Sequence, residues 1–221
     1  KVAIIGGGGY VGTELVPAIL DQGHEVVVFD LFIYGNYLPA HKNLSVKVVD
    51  IRNINFMKKE IVNFDTIIHL ACISNDPSFE LNPDLGKSIN YDCFEPLIKI
   101  SKDNGVKKFI FASSSSVYGV KKNIDVTEKL SLEPLTDYSK YKAKCEDVLL
   151  KYNDNNFNCV ILRPATVCGY SRRQRLDVVV NIFANFAYHK NHITIFGGKQ
   201  LRPNINIIDM VNSYLLILNA D

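Results

Sequence analysis

The feature that most constrains the fold of this chain is a run of four glycines, Gly6 to Gly9, directly after the apolar segment Val2 to Ile5. An uncharged segment of this kind is typical of a parallel strand that is buried on both faces. Glycines allow a tight turn with positive φ, and Gly12 allows a helix, predicted from about Tyr10 to Leu20, to pack closely on the strand. The turn therefore predicts backbone N–H groups that bind a diphosphate at the positive end of this helix.

A carboxylate follows the second predicted strand. Residues 25–29 form another mostly apolar segment, and Asp30 comes directly after it. An acidic side chain about 20 residues beyond the glycines is placed to accept hydrogen bonds from an adenosine ribose. Because Asp30 would repel a 2′-phosphate, the sequence favours NAD over NADP. Two glycine spacings fit, at positions 7, 9 and 12 or at positions 6, 9 and 12, and the glycines alone do not choose between them.

Composition excludes several classes of protein. The chain has 221 residues, enough for one large or two small domains, and its 25 basic and 23 acidic residues give a net charge of +2. This balance does not indicate binding to nucleic acid or to a membrane surface. The five cysteines are widely spaced and form no C-x-x-C pair, which predicts a reduced, cytoplasmic setting. We predict no metal site, because no cluster of His, Cys or carboxylates has ligand spacing, and neither a membrane span nor a signal peptide.

Strand and helix patterns alternate along the chain, which predicts an α/β fold with a doubly wound parallel sheet. Further strands are predicted at 45–49, 66–70, 108–112 and 158–162, and helices at 51–62, 86–103 and 137–152. Beyond residue 169 we expect a helix at 176–188, a strand at 193–196 and a last helix from about 209. We assign residues 1–168 to a Rossmann-like NAD-binding domain. Residues 169–221 are expected to supply substrate-binding elements, interleaved with the last elements of that domain.

Three side chains have the chemistry of proton transfer to and from an alcohol. Tyr138 and Lys142 are four residues apart on a predicted helix and so share one face. A phenol is a poor base at neutral pH, but a neighbouring ammonium stabilises the phenolate and lowers the phenol pKa. Ser114, at the end of a predicted strand, could bond to the same substrate hydroxyl. A purely structural arrangement remains open, with Tyr138 in the core, Lys142 reaching solvent and the serines in a polar turn.

Several motifs occur together in the order and spacing of one known family. They are the N-terminal glycines, Asp30, Asp50-Ile-Arg52, His69-Leu-Ala71, Asn90, the SSSSVYG run at 113–119, Tyr138-x-x-x-Lys142 and Leu162-Arg-Pro164. The chain resembles the extended short-chain dehydrogenase/reductases, and within them the NAD-dependent nucleotide-sugar epimerase/dehydratase group. The resemblance covers essentially the whole chain.

The resemblance implies a role for each matching residue. Ser114, Tyr138 and Lys142 would be catalytic, with Tyr138 as the acid/base. Cofactor contacts would come from Gly6, Gly9, Tyr10, Val11, Gly12, Asp30, Asp50, Ile51, Leu70, Ala71, Lys142 and Pro164. Substrate contacts would come from Ser115, Ser116, Arg173, Asn181 and Arg202, and the neighbouring Arg172 and Arg175 are further candidates for a diphosphate clamp.

One departure from the family narrows the chemistry. Family members that eliminate water from the sugar follow the catalytic hydroxyl with an acidic pair, and a decarboxylating branch uses a Glu there. This chain has Ser115 and Ser116, which disfavours both reactions. The leading hypothesis is an NAD-dependent nucleotide-sugar epimerase that passes through a transient 4-keto sugar. An NAD-dependent nucleotide-sugar dehydrogenase or ketoreductase is the alternative, and a non-catalytic NAD-sensing protein is a third.

The resemblance also implies a partner and a longer chain. Helices 86–103 and 137–152 would pair across a homodimer. Family members commonly reach about 300 residues, so we expect a C-terminal segment to be missing here and substrate binding by the 221-residue chain to be weak.

Overall fold

The fold is a six-stranded parallel sheet covered by helices, and it confirms the predicted α/β class. The computed structural model describes residues 1–122 and 125–220. The strands lie in the order β3-β2-β1-β4-β5-β6. Their bounds are β1 Val2–Ile5, β2 Val26–Asp30, β3 Leu44–Val48, β4 Thr66–His69, β5 Lys108–Ala112 and β6 Asn158–Leu162. The order reverses between β1 and β4, and open parallel sheets bind ligands beyond the carboxyl ends of the strands at such a point.

Eight α-helices are described, some on the faces of the sheet and others in the segments beyond the strand ends. They are α1 Gly12–Asp21, α2 Ile54–Glu60, α3 Asp76–Glu80, α4 Pro83–Lys87, α5 Phe94–Asp103, α6 Asp137–Leu150, α7 Val179–Lys190 and α8 Ile207–Asn219. β1 shows why its sequence is apolar throughout. Val2 and Ile4 pack in a core with α1 and α8, whereas Ala3 and Ile5 pack in a second core with α2, α5 and α6.

The predicted helix at 86–103 is wrong as a single helix. The structure has α4, then a π-helical turn at Ser88–Asp92, and then α5. Asn90 lies buried in this turn, where it accepts a hydrogen bond from the N–H of Ile73 at 2.8 Å and donates to the carbonyl of Ile73 at 3.0 Å. The π-helical turn thus holds the segment that follows β4, and π-turns of this kind occur often at functional sites.

The predicted strand at 193–196 is also wrong. Ile195 and Phe196 are exposed and pair with no strand in the described part of the chain. A second, small parallel sheet forms instead between β7, Thr166–Cys168, and β8, Asn204–Asn206. Val167 and Ile205 pack against the core below this sheet, so tertiary pairing selects the strand rather than local apolar content.

The last helix begins at Ile207, close to the predicted start, and belongs to the main fold. Met210, Val211 and Tyr214 of α8 pack with residues of α1 in one core.

β7 and β8 lie on either side of the proposed boundary at residue 168, and the division into two units stays a prediction. Within residues 1–122 and 125–220, no helix is long and apolar enough to cross a membrane.

Two glycines give a matched test of the turn after β1. Gly6 and Gly23 both have a φ of +86°, but a Cβ at Gly6 would lie 2.4 Å from the backbone nitrogen of Ala71, whereas a Cβ at Gly23 meets no atom within 4 Å. We expect Gly23→Ala to lower the free energy of unfolding by about 1–2 kcal/mol through backbone strain alone. Gly6→Ala should cost at least about 2 kcal/mol more, because rigid backbone atoms overlap. Urea unfolding of the two variants measures the difference, and equal losses would contradict the proposed contact.

Candidate functional site

The glycine turn brings three backbone segments into direct contact. A Cβ at Gly12 would lie 2.4 Å from the carbonyl oxygen of Gly7, as close as the one at Gly6 would lie to Ala71. The N–H groups of Leu70 and Ala71 both donate to the carbonyl of Ile5, at 2.8 and 2.9 Å. The ends of β1 and β4 therefore meet beside the start of α1.

The start of α1 presents unused donors. The N–H groups of Tyr10, Val11 and Gly12 have no acceptor within residues 1–122 and 125–220, whereas the N–H of Gly9 donates to the carbonyl of Gly6 at 3.3 Å. Three successive donors at the positive end of a helix fit a diphosphate. Because side chains are absent from the turn, such a group could approach the backbone directly.

Asp30 lies at this turn, as the sequence predicts. One carboxylate oxygen accepts the N–H of Gly8 at 2.9 Å, and the other accepts the N–H of Phe32 at 2.8 Å. The ring of Phe32 lies over Gly8, where a Cβ would come within 2.7 Å of it. Each carboxylate oxygen retains a further lone pair, so Asp30 can still accept hydrogen bonds from ribose hydroxyls.

Asp50 and Ile51 follow β3, which ends beside β2. The guanidinium of Arg52 bonds Asp50 through Nε at 3.0 Å to each oxygen, and this pairing lowers the pKa of the carboxyl group. Ile51 is buried in the core that also contains α2 and α5. Asp50 thus has a carboxylate held in place by Arg52, and the next residue, Ile51, has a buried apolar side chain.

Tyr138 lies in the first turn of α6, where the local sequence fixes the start of the helix. Thr136 is the N-cap, and its hydroxyl accepts the N–H of Ser139 at 3.3 Å, while the Ser139 hydroxyl accepts the N–H of Thr136 at 3.1 Å. Burial raises the pKa of the Tyr138 phenol, whereas the Ser114 hydroxyl and the charge of Arg175 lower it. Ser114 and Tyr138 are therefore brought together, as predicted.

The hydroxyl of Ser114 is oriented by its neighbours. It accepts the N–H of Ser116 at 3.2 Å and the hydroxyl of Ser116 at 2.9 Å. With two bonds accepted, its own proton is free to be donated. The N–H of Ser115 donates to the carbonyl of Pro164 at 2.9 Å, so the end of β6 lies directly against the 3₁₀ turn Ser115–Tyr118, here called the serine turn.

Lys142 is a buried cation, one helical turn beyond Tyr138. The residue is 3% exposed, and its Nζ donates to the carbonyl of Ala112 at 2.6 Å. The ammonium lies 4.7 Å from the centre of the Phe111 ring and 5.9 Å from that of Tyr138. The predicted cluster of Ser114, Tyr138 and Lys142 thus assembles at the carboxyl end of β5, and the alternative in which Lys142 reaches solvent does not hold.

Residues Gly169–Arg173, here called the strap, are hydrogen-bonded to Tyr10, just before α1, and to Thr13 in its first turn. The hydroxyl of Tyr10 donates to the carbonyl of Gly169 at 2.7 Å. The Ser171 hydroxyl donates to the carbonyl of Tyr10 at 2.7 Å, and the N–H of Arg173 donates to the Thr13 hydroxyl at 3.4 Å. The strap thus ties the C-terminal region to the helix that begins at the glycine turn.

Arg172 has a structural use that sequence reasoning missed. Pro17 lies inside α1 and has no N–H for the carbonyl of Thr13, four residues earlier. Nη1 of Arg172 donates to that carbonyl at 3.1 Å, and its backbone N–H donates to Glu14 at 2.8 Å. Arg172 therefore supplies the Thr13 carbonyl with the hydrogen-bond donor that Pro17 lacks.

Asn181 is 6% exposed and holds the strap from α7. Its Oδ1 accepts the N–H of Gly169 at 2.9 Å, and its Nδ2 donates to the Tyr10 hydroxyl at 3.1 Å and to the Arg175 carbonyl at 2.8 Å. Both amide hydrogens are used within the chain. Asn181 lies beside the strap, and a direct contact with a substrate stays a prediction.

The remaining arginines lie in different surroundings. The guanidinium of Arg173 stacks 3.8 Å from the centre of the Tyr34 ring. Arg175 bonds Asp177 through Nε at 3.0 Å and Nη2 at 2.6 Å, and its charge reaches Tyr138. Arg202 lies in the exposed segment before β8. The charge of Arg175 thus acts on the predicted catalytic cluster, which the sequence did not indicate.

Glu146 is the main residue of this region that sequence reasoning missed. It is 1% exposed, and Arg163 and Ser113 both donate to its carboxylate. Its position two helical turns after Tyr138 was an available signal, because such spacing places both on one helix face. A lone glutamate in a helix is usually solvated, so the signal is weak.

His69 lies at the end of β4 in an aromatic cluster. Its ring centre lies 5.3 Å from that of Phe94 and 6.0 Å from that of Phe111, and Nδ1 has no hydrogen-bond partner in the described part of the chain. Burial and the nearby charge of Lys142 lower its pKa to about 3. His69 is therefore neutral at physiological pH. No group of three metal-ligating side chains occurs within residues 1–122 and 125–220.

We expect His69 to destabilise the protein in acid. Its pKa is lowered from 6.5 to about 3 on folding, so the unfolded chain binds the proton first, and stability falls as pH drops through this range. The slope should reach about 1.4 kcal/mol per pH unit. When the pH falls from 7 to 4.5, the unfolding free energy of wild type should drop by about 2–3 kcal/mol more than that of His69→Leu. Urea titration at the two pH values measures both drops. The exposed His189→Gln variant should behave as wild type, and equal acid losses in all three would contradict this role.

Comparison with known proteins agrees with this geometry. The model of the NAD dependent epimerase/dehydratase family matches residues 2–221. A solved UDP-N-acetylglucosamine 4-epimerase from Methanobrevibacter ruminantium M1 is 28% identical, with a TM-score of 0.92 over 100% of this chain and 73% of that one. The UDP-glucuronic acid 4-epimerase of Bacillus cereus, solved with UDP-glucuronic acid and NAD, is 29% identical, with a TM-score of 0.89 over 100% and 74%. An uncharacterised UDP-glucose epimerase of Bacillus subtilis is 29% identical over 99% of this chain and 72% of its own length. The chain belongs to the NAD-dependent epimerase/dehydratase family, as its motifs predict.

Proposed function

We propose that the protein is an NAD-dependent nucleotide-sugar epimerase that inverts a sugar carbon, C4 in the leading case, through a transient 4-keto sugar. The observation that carries this proposal is the cluster of Ser114, Tyr138 and Lys142 beyond β5, across the strand ends from the glycine turn. The names of its relatives support the substrate class, because several solved and curated relatives are named as UDP-sugar 4-epimerases.

NAD is the cofactor of this family, and the residues present fit it. The free N–H groups at the start of α1 would hold its diphosphate, and Asp30 would hold the adenosine ribose. The other expected contacts are Asp50 and Ile51 at the adenine, Leu70 and Ala71 along the path between, and Lys142 and Pro164 at the nicotinamide end. When bound, NAD supplies a hydride acceptor and, in the return direction, a hydride donor.

The three clustered side chains would move the proton. Tyr138 takes the hydroxyl proton as the sugar is oxidised and returns it when the ketone is reduced from the opposite face. Because burial raises the pKa of this phenol, a phenolate there needs added positive charge, which Lys142 supplies from the next helical turn. The Ser114 hydroxyl would donate a hydrogen bond to the same substrate oxygen.

The residues after Ser114 favour epimerisation over dehydration. Loss of water from a 4-keto sugar needs a further acid and base beside the sugar. Ser115 and Ser116 are hydroxyls in a turn that is bonded to Pro164 and to Ser114. Neither ionises near neutral pH, so this part of the site supports only hydride and single-proton chemistry.

The substrate is expected to be held by its diphosphate. Arg173 and Arg202 are the proposed clamp, because guanidinium groups bind phosphate oxygens bidentately. Ser115, Ser116 and Asn181 complete the proposed substrate contacts. We further propose a homodimer through residues 86–103 and 137–152, and a cytoplasmic location, which five free thiols support.

The proposal is tested with the purified protein and a panel of UDP-, GDP-, CDP- and dTDP-sugars. Native mass spectrometry should show a dimer that retains NAD. One sugar nucleotide should change configuration without a net change in absorbance at 340 nm. Accumulation of NADH in proportion to substrate would instead establish the dehydrogenase, and NAD binding without turnover of any sugar nucleotide would leave only the NAD-sensing function.

Removing the proposed acid/base should slow turnover strongly without loss of the cofactor. We expect Tyr138→Phe to lower kcat about 1,000-fold, since a positioned proton donor contributes on the order of 10²–10⁴. The matched control is Tyr141→Phe on the same helix, whose ring packs 5.3 Å from that of Tyr91. It should keep kcat within about twofold of wild type. Steady-state kinetics with calorimetric NAD titration measure both, and equal kcat values for the two variants would refute the assignment.

A further inference from the structure

A buried ion pair lies directly behind the proposed catalytic cluster. Nε of Arg163 donates to both carboxylate oxygens of Glu146 at 3.1 Å, and Nη2 donates to one of them at 2.6 Å. The hydroxyl of Ser113 also donates to this carboxylate, and Nη1 of Arg163 donates to the Tyr118 hydroxyl at 2.9 Å. The Glu146 side chain is 1% exposed and that of Arg163 is 20% exposed. Both oxygens of the Glu146 carboxylate thus accept hydrogen bonds within the chain.

The other three members of this network, Ser113, Arg163 and Tyr118, lie next to or close to proposed functional residues in the chain. Ser113 directly precedes Ser114, and Arg163 directly precedes Pro164. Tyr118 ends the 3₁₀ turn Ser115–Tyr118, which carries the two hydroxyls after Ser114. One carboxylate therefore connects the end of β5, the serine turn and the end of β6.

Glu146 also connects these strand ends to α6. Tyr138, Lys142 and Glu146 are spaced by four residues, which places them along one face of this helix. Tyr138 and Lys142 would act on the substrate from this face, and Glu146 anchors the same face to Arg163. The bonds to Glu146 thus hold the end of β5 and the serine turn close to α6, together with the bond from Lys142 to the carbonyl of Ala112.

We propose that Glu146 and Arg163 are positioning residues that hold Ser114 at the correct distance from Tyr138. This inference rests on the proposed function, because it concerns the geometry of the same proton transfer. Neither residue touches the substrate in this role. Bidentate bonds fix both the distance and the orientation of the two groups, which a single surface ion pair does not do. A misplacement of about 1 Å at a reacting group can cost about 100-fold in rate.

The first test is Glu146→Gln, which preserves shape but replaces one acceptor oxygen with an NH₂ group that faces the donors of Arg163. We expect kcat to fall about 10- to 100-fold, the KM for the sugar nucleotide to change less than about threefold, and NAD affinity to stay at the wild-type value. The matched control is Lys107→Gln at the opposite end of β5, which removes an exposed pair with Asp65 at 4.0 Å. This control should keep wild-type kcat.

A double variant covers the case in which Glu146→Gln does not fold. Glu146→Leu with Arg163→Met replaces the pair by apolar side chains, an exchange that buried ion pairs often tolerate. We expect it to fold and bind NAD, yet to show the same loss of kcat. Full kcat in a folded double variant, or matching losses of kcat and NAD affinity, would overturn the positioning role.

The same experiment separates the two proposals. If wild type turns over a sugar nucleotide and the variants keep its kcat, only the positioning role is overturned. If wild type turns over none of the panel, the proposed function fails and the inference fails with it.

Discussion

The close contact between the backbone of Gly6 and that of Leu70 and Ala71 is the constraint on which the rest of the site depends. It is possible only because position 6 carries no Cβ. The contact brings the end of β1 against the end of β4 at the point where the strand order reverses. α1 then begins with its free N–H groups directed at the edge of the sheet where ligands bind. The same edge of the sheet, at the carboxyl ends of the strands, thereby carries the free N–H groups of α1, Asp30 and the serine turn.

The C-terminal region is attached to this arrangement by polar contacts rather than by an apolar core alone. The strap is bonded to Tyr10 and Thr13, and Asn181 bonds the strap in turn. α8 adds apolar packing against α1. Arg173, one of the two residues proposed to bind the substrate diphosphate, is thus connected through Thr13 to the helix start that is proposed to bind the cofactor diphosphate. Order in the strap and order in that turn therefore depend on each other.

Sequence reasoning succeeded where local pattern decides the structure. The bounds of β5 and β6 match the prediction, because each is a short run of mainly apolar residues that is bounded by polar residues. It failed where tertiary contact decides. β8 is a strand because β7 is beside it, and the helix at 86–103 is interrupted where Asn90 bonds Ile73. Glu146 was missed because only the fold shows that Arg163 lies opposite it.

The proline within α1 makes two distant positions depend on each other. Pro17 leaves the carbonyl of Thr13 without its usual donor, and Arg172 supplies one from the strap. A residue with an N–H at position 17 would restore the helical bond and compete with Arg172 for the same oxygen. Substitutions at 17 and 172 are therefore expected to be non-additive, so each position is constrained by the residue at the other.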